Sequence, residues 1–305
     1  MSLFLQLLIN GVTLGSVYAL IALGYSMVYG ILKLLNFAHG EVYMIGAFIG
    51  YGVLTAVGGP AAPVVPVWLL VIGMVVVAML GSGVLGVIIE RFAYRPLRNS
   101  PRIAPLISAL GVSFFLQASA LLLFTARIRS YDTTEFISLG TGVDIGPARI
   151  SLVRLLAIGT AVTLMVALTV LVRQTKLGRA MRATAHDREA AALMGVDVDR
   201  VIVATFFIGS ALAGAAGVMV GLVFGRIFHL MGFVAGLKGF TAAVVGGIGN
   251  IPGAMLGGLL IGLGEALAAG YISSTFTDLI VFGLLIAVML LRPRGLLGTP
   301  AVDKV

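Results

Sequence analysis

The segment RQTKLGRAMRATAHDREAAALMGVDVDR, from Arg173 to Arg200, is the longest polar stretch in a chain that is otherwise apolar. It holds six of the twenty basic residues and four of the twelve acidic residues of the 305-residue chain. Continuous apolar runs lie on both sides of it, and each is about twenty residues long, which is the length that crosses a bilayer as a helix. The segment therefore interrupts a membrane-spanning chain and indicates where that chain meets water.

The composition excludes the water-soluble classes of protein. Hydrophobic residues make up 60% of the chain and charged residues 10%, with a mean hydropathy of +1.13. A soluble domain carries roughly 25% charged residues. The apolar runs do not alternate over about ten residues as barrel strands do, so the spans are predicted to be helices.

Charge and cysteine content narrow the function further. The net charge of +8 is concentrated between the apolar runs, which is typical of the positive-inside rule rather than of nucleic-acid binding. The chain has no cysteine, which excludes disulfides and thiolate metal sites. No basic residue precedes the first apolar run, so we expect that run to be retained as a span and not cleaved as a signal peptide.

Hydropathy predicts a single all-α transmembrane domain over residues 1–305, a helical bundle of about 8–9 spans. The spans are expected at about 3–29, 40–57, 67–89, 103–124, 150–172, 201–224, 232–248, 253–269 and 276–291. Glycine weakens a helix by about 1 kcal/mol relative to alanine. The Gly-rich last third, 232–270, is therefore expected to contain a broken or re-entrant piece.

Glycines also predict where helices approach one another closely. Gly11, Gly15 and Gly24 in the first span would admit a neighbouring helix at short distance. The clusters at 246–249 and 257–258 favour tight packing in the same way, although a hinge or backbone exposed to substrate would explain them too. A Gly/Pro stretch at 58–66 is expected to link the second and third spans.

Basic residues predict the orientation. The Arg-rich loop 90–102, the segment 173–200 and the C-terminal tail with Arg292, Arg294 and Lys304 should all be cytoplasmic. With nine spans these three regions fall on one side, which agrees with the rule. The loop 125–149, whose charges nearly balance, and the N-terminus should then lie outside.

A short amphipathic helix is predicted inside the segment 173–200. Asp187 is suited to cap its first turn, and Glu189 then complements the helix dipole. Gly195 can take the left-handed conformation that ends a helix. Asp197 and Asp199 are suited to cap and charge the start of the next span.

The apolar face of this short helix has two interpretations. Ala190, Leu193 and Met194 fall at i, i+3 and i+4 and form one small face. The face would fit a groove on a cytoplasmic partner, so that the helix transmits motion to the spans on either side. Alternatively, the helix lies on lipid headgroups, which the nearby arginines would favour.

Ionisable residues within spans are functional candidates, because burying a charge in a membrane is costly. His39 and Glu41 would line the cytoplasmic mouth or mark a break between spans, or would simply be hydrated at headgroup level. Lys238 and Glu265 would form a buried ion pair or a polar lining; alternatively Lys238 snorkels to an interface and Glu265 bonds a neighbouring helix. Asp278 is expected at an interface.

The sequence resembles a transporter family in four blocks. Glu189-Ala190-Ala191, followed by three residues and Gly195, resembles the EAA loop of ABC importer permeases, although Thr205 to Ile208 stands where the Ile-x-Leu-Pro tail of that loop would fall. The full layout resembles the permease subunits of bacterial high-affinity branched-chain amino acid importers. The four blocks that carry this resemblance are NFAHGE (36–41), GRAMRATAHDREAAALMGV (178–196), GFTAAVVGGIGNIPGAMLGG (239–258) and RPRGL (292–296).

The resemblance implies a multi-pass protein of the bacterial inner membrane that is not itself an enzyme. It implies a second, related permease subunit, two cytoplasmic ATPase subunits that bind ATP-Mg, and a periplasmic binding protein that delivers leucine, isoleucine or valine. The chain has no GxxxxGK[ST] loop for phosphates, and neither a cofactor, a metal nor a nucleic acid is expected to bind. The expected ATPase-coupling residues are Glu189, Ala190, Ala191, Leu193, Met194 and Gly195. The candidate pathway residues are Asn36, Phe37, His39, Glu41, Lys238, Phe240 and Glu265.

Three alternatives remain open at this point. A permease for urea or short amides would have a very similar layout. A stand-alone secondary transporter would require inverted repeats and strong coupling-ion residues, which are faint in this sequence. An intramembrane enzyme would need a nucleophile with a base or facing aspartates, and neither pattern is present.

Overall fold

The computed structural model describes residues 2–57, 66–101, 103–131, 142–145 and 148–298. The predicted Gly/Pro link at 58–66 lies outside the described residues except for Pro66. Parts of the loop 125–149 and the C-terminal Lys304 also lie outside them.

The described chain is a helical bundle with two small ribbons of strand. Its helices are α1 (Ser2–Leu32), α2 (His39–Ala56), α3 (Val67–Ile89), α4 (Ile103–Phe124), α5 (Leu152–Gln174), α6 (Lys176–His186), α7 (Arg188–Leu193), α8 (Val198–Phe224), α9 (Met231–Gly246), α10 (Ile251–Tyr271) and α11 (Thr277–Leu291). A π-helical turn (Glu90–Tyr94) and a 3-10 turn (Arg95–Leu97) extend α3, and a 3-10 turn (Ser274–Phe276) precedes α11. The strands β1 (Arg129–Ser130) and β4 (Arg226–Ile227) pair antiparallel, as do β2 (Gly142–Ile145) and β3 (Ala148–Ser151).

Seven of the described helices are long and apolar enough to cross a membrane, judged by length and composition: α1, α3, α4, α5, α8, α10 and α11. Of the other two predicted spans, α2 has 18 residues but begins with the polar His39 and Glu41, and α9 is shorter. The 16 residues of α9 give a length of about 24 Å, against a hydrocarbon core of about 30 Å. The all-α membrane bundle is confirmed, and the expected eight or nine spans become seven long helices with α2 and α9 packed among them.

Glycine allows the long helices to approach closely, as the sequence predicts. A Cβ atom added to Gly15 of α1 would lie 2.8 Å from the Cα of Leu259 in α10. Gly258 and Gly262 of α10 face the backbone of α1 at Ala19 and Gly15. The backbones of α1 and α10 are therefore in direct contact along much of their length.

The helix α2 begins deep inside the bundle. His39, its first residue, packs against Gly24 of α1, and Gly24 in turn faces Gly209 of α8. Gly24 lies eight residues before α1 ends at Leu32, which is about 12 Å along the helix axis. The connection 33–38 therefore returns from the end of α1 into the interior.

One end of the bundle, which we call the basic end, carries the segment 173–200. Arg98, which follows α3, contacts Asp199 at the start of α8 at 2.5 Å and also pairs with the buried Glu90. The chain after α11 packs against the end of α9, where the Leu296 amide donates to the Val245 carbonyl at 2.9 Å. The three Arg-bearing regions predicted to share one side are thus joined at the basic end.

Candidate translocation pathway and coupling helix

A buried carboxylate lies at the start of α2. Glu41 is 1% exposed, and its Oε1 accepts hydrogen bonds from the Ser113 hydroxyl at 3.2 Å and the Gln117 amide at 2.8 Å. Ser113 and Gln117 are one turn apart on α4 and therefore face α2 together. The second oxygen, Oε2, has no hydrogen-bond partner among the described residues and lies against Gly232 of α9.

Aromatic rings pack against one another near the start of α2. The Tyr25 ring lies 4.7 Å from the His39 ring and 5.9 Å from the Phe240 ring, centroid to centroid. The rings of Phe37 and Phe240 are 6.1 Å apart. These residues, with Glu41, Ser113 and Gln117, form what we call the central cluster. It brings together four of the predicted pathway residues: Phe37, His39, Glu41 and Phe240.

Asn36 lies beside the central cluster and holds the returning connection in place. Its side-chain oxygen accepts hydrogen bonds from the Ala38 amide and the Tyr94 hydroxyl, both at 3.2 Å. Tyr94 also donates to the Leu35 carbonyl at 3.1 Å. Asn36 therefore positions the segment that delivers Phe37 and Glu41 to the interior.

A small cavity of about 20 Å³ lies beside the central cluster. Its lining includes Tyr25, Phe37, Ser113, Gly232 and Phe233. Phe233 is 47% exposed. The volume suffices for one water-sized group and no more.

Lys238 and Glu265 form a separate cluster. The Lys238 ammonium contacts Glu265 Oε1 at 2.7 Å and Asp278 Oδ1 at 2.8 Å, and the Tyr18 hydroxyl donates to Glu265 Oε2 at 2.9 Å. Lys238 and Phe240 are two residues apart on α9 and so face opposite sides of that helix. The structure thus gives Lys238 and Glu265 the buried ion pair that the sequence offered as one alternative, away from the central cluster.

The polar segment folds into two helices, where the sequence predicted one. The first, α6, is capped by the Thr175 side chain, which accepts from the Gly178 amide at 3.0 Å. Extended backbone at Asp187 separates it from α7. The Asp187 carboxylate accepts from the amides of Glu189 and Ala190 at 3.0 and 3.1 Å, as predicted. The Asp187 cap lies in the middle of the segment and divides it into α6 and α7.

The end of α7 presents an apolar tip to the outside of the basic end. Leu193 is 89% exposed and Met194 is 85% exposed, and Glu189 and Ala190 are also exposed. Gly195 follows with φ +82°, the left-handed conformation predicted for it. Asp197 then accepts from the Arg200 amide at 3.0 Å and so caps α8, as predicted.

Arg188 ties α7 to the bundle. Its guanidinium donates to the Ile31 carbonyl in the last turn of α1 at 2.9 Å. Burial, and then the positive charge of Arg98, lower the pKa of Arg188. This bond attaches α7 directly to α1, which contributes Tyr25 to the central cluster.

Sequence reasoning missed several residues of these sites. Tyr25 and Arg188 gave no signal, because one lies in a long apolar run and the other bonds to a backbone carbonyl. Ser113 and Gln117 did give a signal, because two polar residues that are four positions apart lie on one face of an otherwise apolar span. Among the described residues, no group of three or more His, Asp and Glu side chains is placed to hold a metal ion.

Comparison with known proteins matches this sequence to one family. The family of branched-chain amino acid transport system permease components matches residues 7–290. The chain is 46% identical to the high-affinity branched-chain amino acid transport system permease protein LivH of Salmonella typhimurium over 305 residues, covering 99% of this chain and 98% of the relative. The LivH protein of Escherichia coli K12 gives the same identity and coverage, and the permease BraD of Pseudomonas aeruginosa is 44% identical over 303 residues, with 99% of this chain and 98% of BraD covered.

No solved structure gave a significant match. The family match covers far more than half of the chain, and these relatives exceed 40% identity over nearly its whole length. The chain belongs to the branched-chain amino acid transport system permease family.

Proposed function

We propose that this chain is a permease subunit through which leucine, isoleucine and valine cross the membrane, driven by ATP hydrolysis on separate subunits. The observation that carries the ATP-driven part is the tip of α7. Leu193 and Met194 are large apolar side chains exposed in a polar segment. Because large exposed apolar groups mark interaction sites, we expect a partner to cover them. The tip fits a groove on a cytoplasmic ATPase.

The remaining partners are proposed on the strength of family membership. We propose a second permease subunit related to this one, two ATPase subunits at the basic end, and a periplasmic binding protein at the opposite end. The basic end is cytoplasmic in this proposal, because basic residues are retained on that side of the membrane. The membrane is the bacterial inner membrane, and the C-terminus is cytoplasmic.

The pathway is proposed to pass through the central cluster. This cluster combines a carboxylate, neutral hydrogen-bond donors and aromatic rings inside the bundle, which suits a cargo with a charged head and an apolar side chain. Lys238 and Glu265 remain candidate pathway residues, although their ion pair also has a structural explanation.

The alternative cargo is not favoured. Relatives at 44–46% identity over nearly the full chain carry names for branched-chain amino acids, and neither urea nor amides appear in those names. A stand-alone secondary transporter is disfavoured by the same family membership.

Partner binding is tested with a substitution at the tip. Leu193→Asp together with Met194→Asp should abolish co-purification of the ATPase subunits from mild detergent, because two carboxylates would have to be desolvated in an apolar groove. The matched control is Ile128→Asp, an apolar residue 64% exposed at the opposite end of the bundle. ATPase subunits that co-purify equally with the tip variant would contradict the assignment of α7.

Cargo is tested by uptake. Cells that carry the chain with its binding protein and ATPases should accumulate labelled leucine, isoleucine and valine, and unlabelled urea in excess should not compete. Competition by urea, with no competition by isoleucine, would replace the proposed cargo with the amide alternative.

A further inference from the structure

We propose that the open oxygen of Glu41 binds the α-ammonium group of the amino acid cargo within the membrane. This inference rests on the proposed function, because it assigns one chemical group of that cargo to one atom of the pathway. The chemistry required is a primary ammonium group attached to a branched apolar side chain.

The hydrogen bonds of Glu41 leave one oxygen available. Ser113 and Gln117 both donate to Oε1 and so fix the plane of the carboxylate. Oε2 lies against Gly232, where a Cβ atom would overlap it. The backbone of Gly232 packs closely against this oxygen, and any side chain at position 232 would collide with it.

Glu41 also lacks a cationic partner in the described part of the chain. Its two hydrogen-bond donors there are neutral side chains. The nearest basic residue along α9, Lys238, faces the other side of that helix and is held by Glu265 and Asp278. A buried carboxylate without a cation is costly inside a membrane, so a visiting ammonium group would be strongly attracted.

The surroundings suit both halves of such a cargo. Tyr25 and Phe37 line the cavity, and aromatic rings attract an ammonium group through their ring electrons. The same rings, with Leu110 and Leu237 in the cavity wall, provide apolar contact for a branched side chain. The cavity therefore distinguishes an amino acid from an anion of equal size.

The observed cavity has room for a group of ammonium size. Its volume of about 20 Å³ excludes a whole leucine molecule, so α9 must move away from α4 for the cargo to pass. Segments of non-helical backbone bound α9, with Gly225 at φ +69° before it and Gly247 at φ +112° after it. The helix can therefore shift as a unit without unwinding α8 or α10.

The absence of native cysteine makes a direct test possible. Leu110→Cys places one thiol in the cavity wall of the assembled importer, in membranes, during ATP turnover. Its labelling rates with an ethylammonium and a sulfonatoethyl methanethiosulfonate are each divided by the rate with free cysteine. We expect the corrected ammonium rate to exceed the anion rate by about tenfold or more, since an unscreened carboxylate nearby attracts one and repels the other.

The Glu41→Gln substitution in the Leu110→Cys background should reduce that ratio to near one. The matched control is Asp278→Asn, which removes an exposed carboxylate from the separate Lys238 cluster and should leave the ratio unchanged. A ratio near one with Glu41 present, a ratio that survives Glu41→Gln, or no labelling during turnover would each overturn the proposal.

Uptake in the cysteine-free chain separates this inference from the proposed function. Glu41→Gln should lower leucine uptake by about tenfold or more, for the same electrostatic reason, while ATPase subunits still co-purify. Normal uptake in Glu41→Gln would refute the ammonium site and leave the permease assignment intact. A chain that shows the labelling preference but imports no branched-chain amino acid would instead refute the proposed function.

Discussion

Single glycines determine how closely α1 and α10 can pack. A Cβ atom at Gly262 would overlap the backbone of Gly15, whereas a Cβ atom at Gly264, two residues later, would meet nothing within 4 Å. The two positions share one helix and differ in which side of it they occupy. Substitution of each glycine by alanine should therefore change the stability of the protein in opposite directions.

Gly262→Ala should destabilise the protein by roughly 1–3 kcal/mol, because a packed interface must open to admit the methyl group. Gly264→Ala should stabilise it by about 0.5–1 kcal/mol, because alanine favours the helix. Thermal unfolding of the detergent-purified variants measures both. Equal shifts in the same direction would show that α1 and α10 are not in backbone contact.

The buried ion pair of Lys238 with Glu265 should contribute more to stability than the exposed ion pair of Lys238 with Asp278. Lys238→Met leaves Glu265 as an unpaired, largely buried charge, which should cost about 3–5 kcal/mol. Asp278 is 57% exposed, so Asp278→Asn should cost less than about 1 kcal/mol. Thermal unfolding again distinguishes the two, and a Lys238→Met variant as stable as the parent would exclude a buried pair.

At the scale of elements, α7 is held by its two ends and by Arg188. Asp187 caps its start, Gly195 turns the chain at its end, and Arg188 bonds to α1. A Cβ atom at Gly195 would meet nothing within 4 Å, so any cost of substitution there comes from backbone strain alone.

Gly195→Val should uncouple ATP hydrolysis from uptake, because a β-branched residue resists the left-handed conformation by about 1–2 kcal/mol. Gly195→Asn is the control, since asparagine tolerates that conformation. Leucine uptake per ATP hydrolysed, measured in vesicles, should fall in the first variant and stay near the parent value in the second. Equal coupling in both would mean that the turn does not position α7.

Hydropathy predicts the long helices well because an apolar run is a local property. It gives the bounds of α3 and α4 to the residue, Val67–Ile89 and Ile103–Phe124. Hydropathy does not show how deep in the bundle a helix begins. The start of α2 at His39 lies within one residue of its prediction, yet only the packing of His39 against Gly24 shows that this start is inside the bundle.

In the candidate site, too, local properties can be predicted from the sequence and packing cannot. Residues such as Glu41 could be predicted because a charge in an apolar run is conspicuous. Tyr25 could not, because it becomes part of the central cluster only when α1, α2 and α9 meet. The sequence does not predict the division of the polar segment into α6 and α7, because Asp187 marks the start of one helix without showing that another helix ends there.

At the scale of the whole molecule, the account requires a fixed orientation. Lys176→Cys at the basic end and Ala126→Cys at the opposite end place one thiol on each side, in a chain without cysteine of its own. A membrane-impermeant maleimide should label Ala126→Cys on intact spheroplasts and Lys176→Cys only after lysis. The reverse pattern would place the basic end outside and remove the ATPase from α7.

The most direct measurement is leucine uptake into vesicles under two conditions. Vesicles that contain the chain with its second permease, its ATPases and its binding protein should accumulate leucine only when ATP is present on the side of the basic end. Vesicles that contain the chain alone should accumulate none, even across a proton or sodium gradient. Leucine accumulation by the chain alone on an ion gradient, without ATP, would contradict the account.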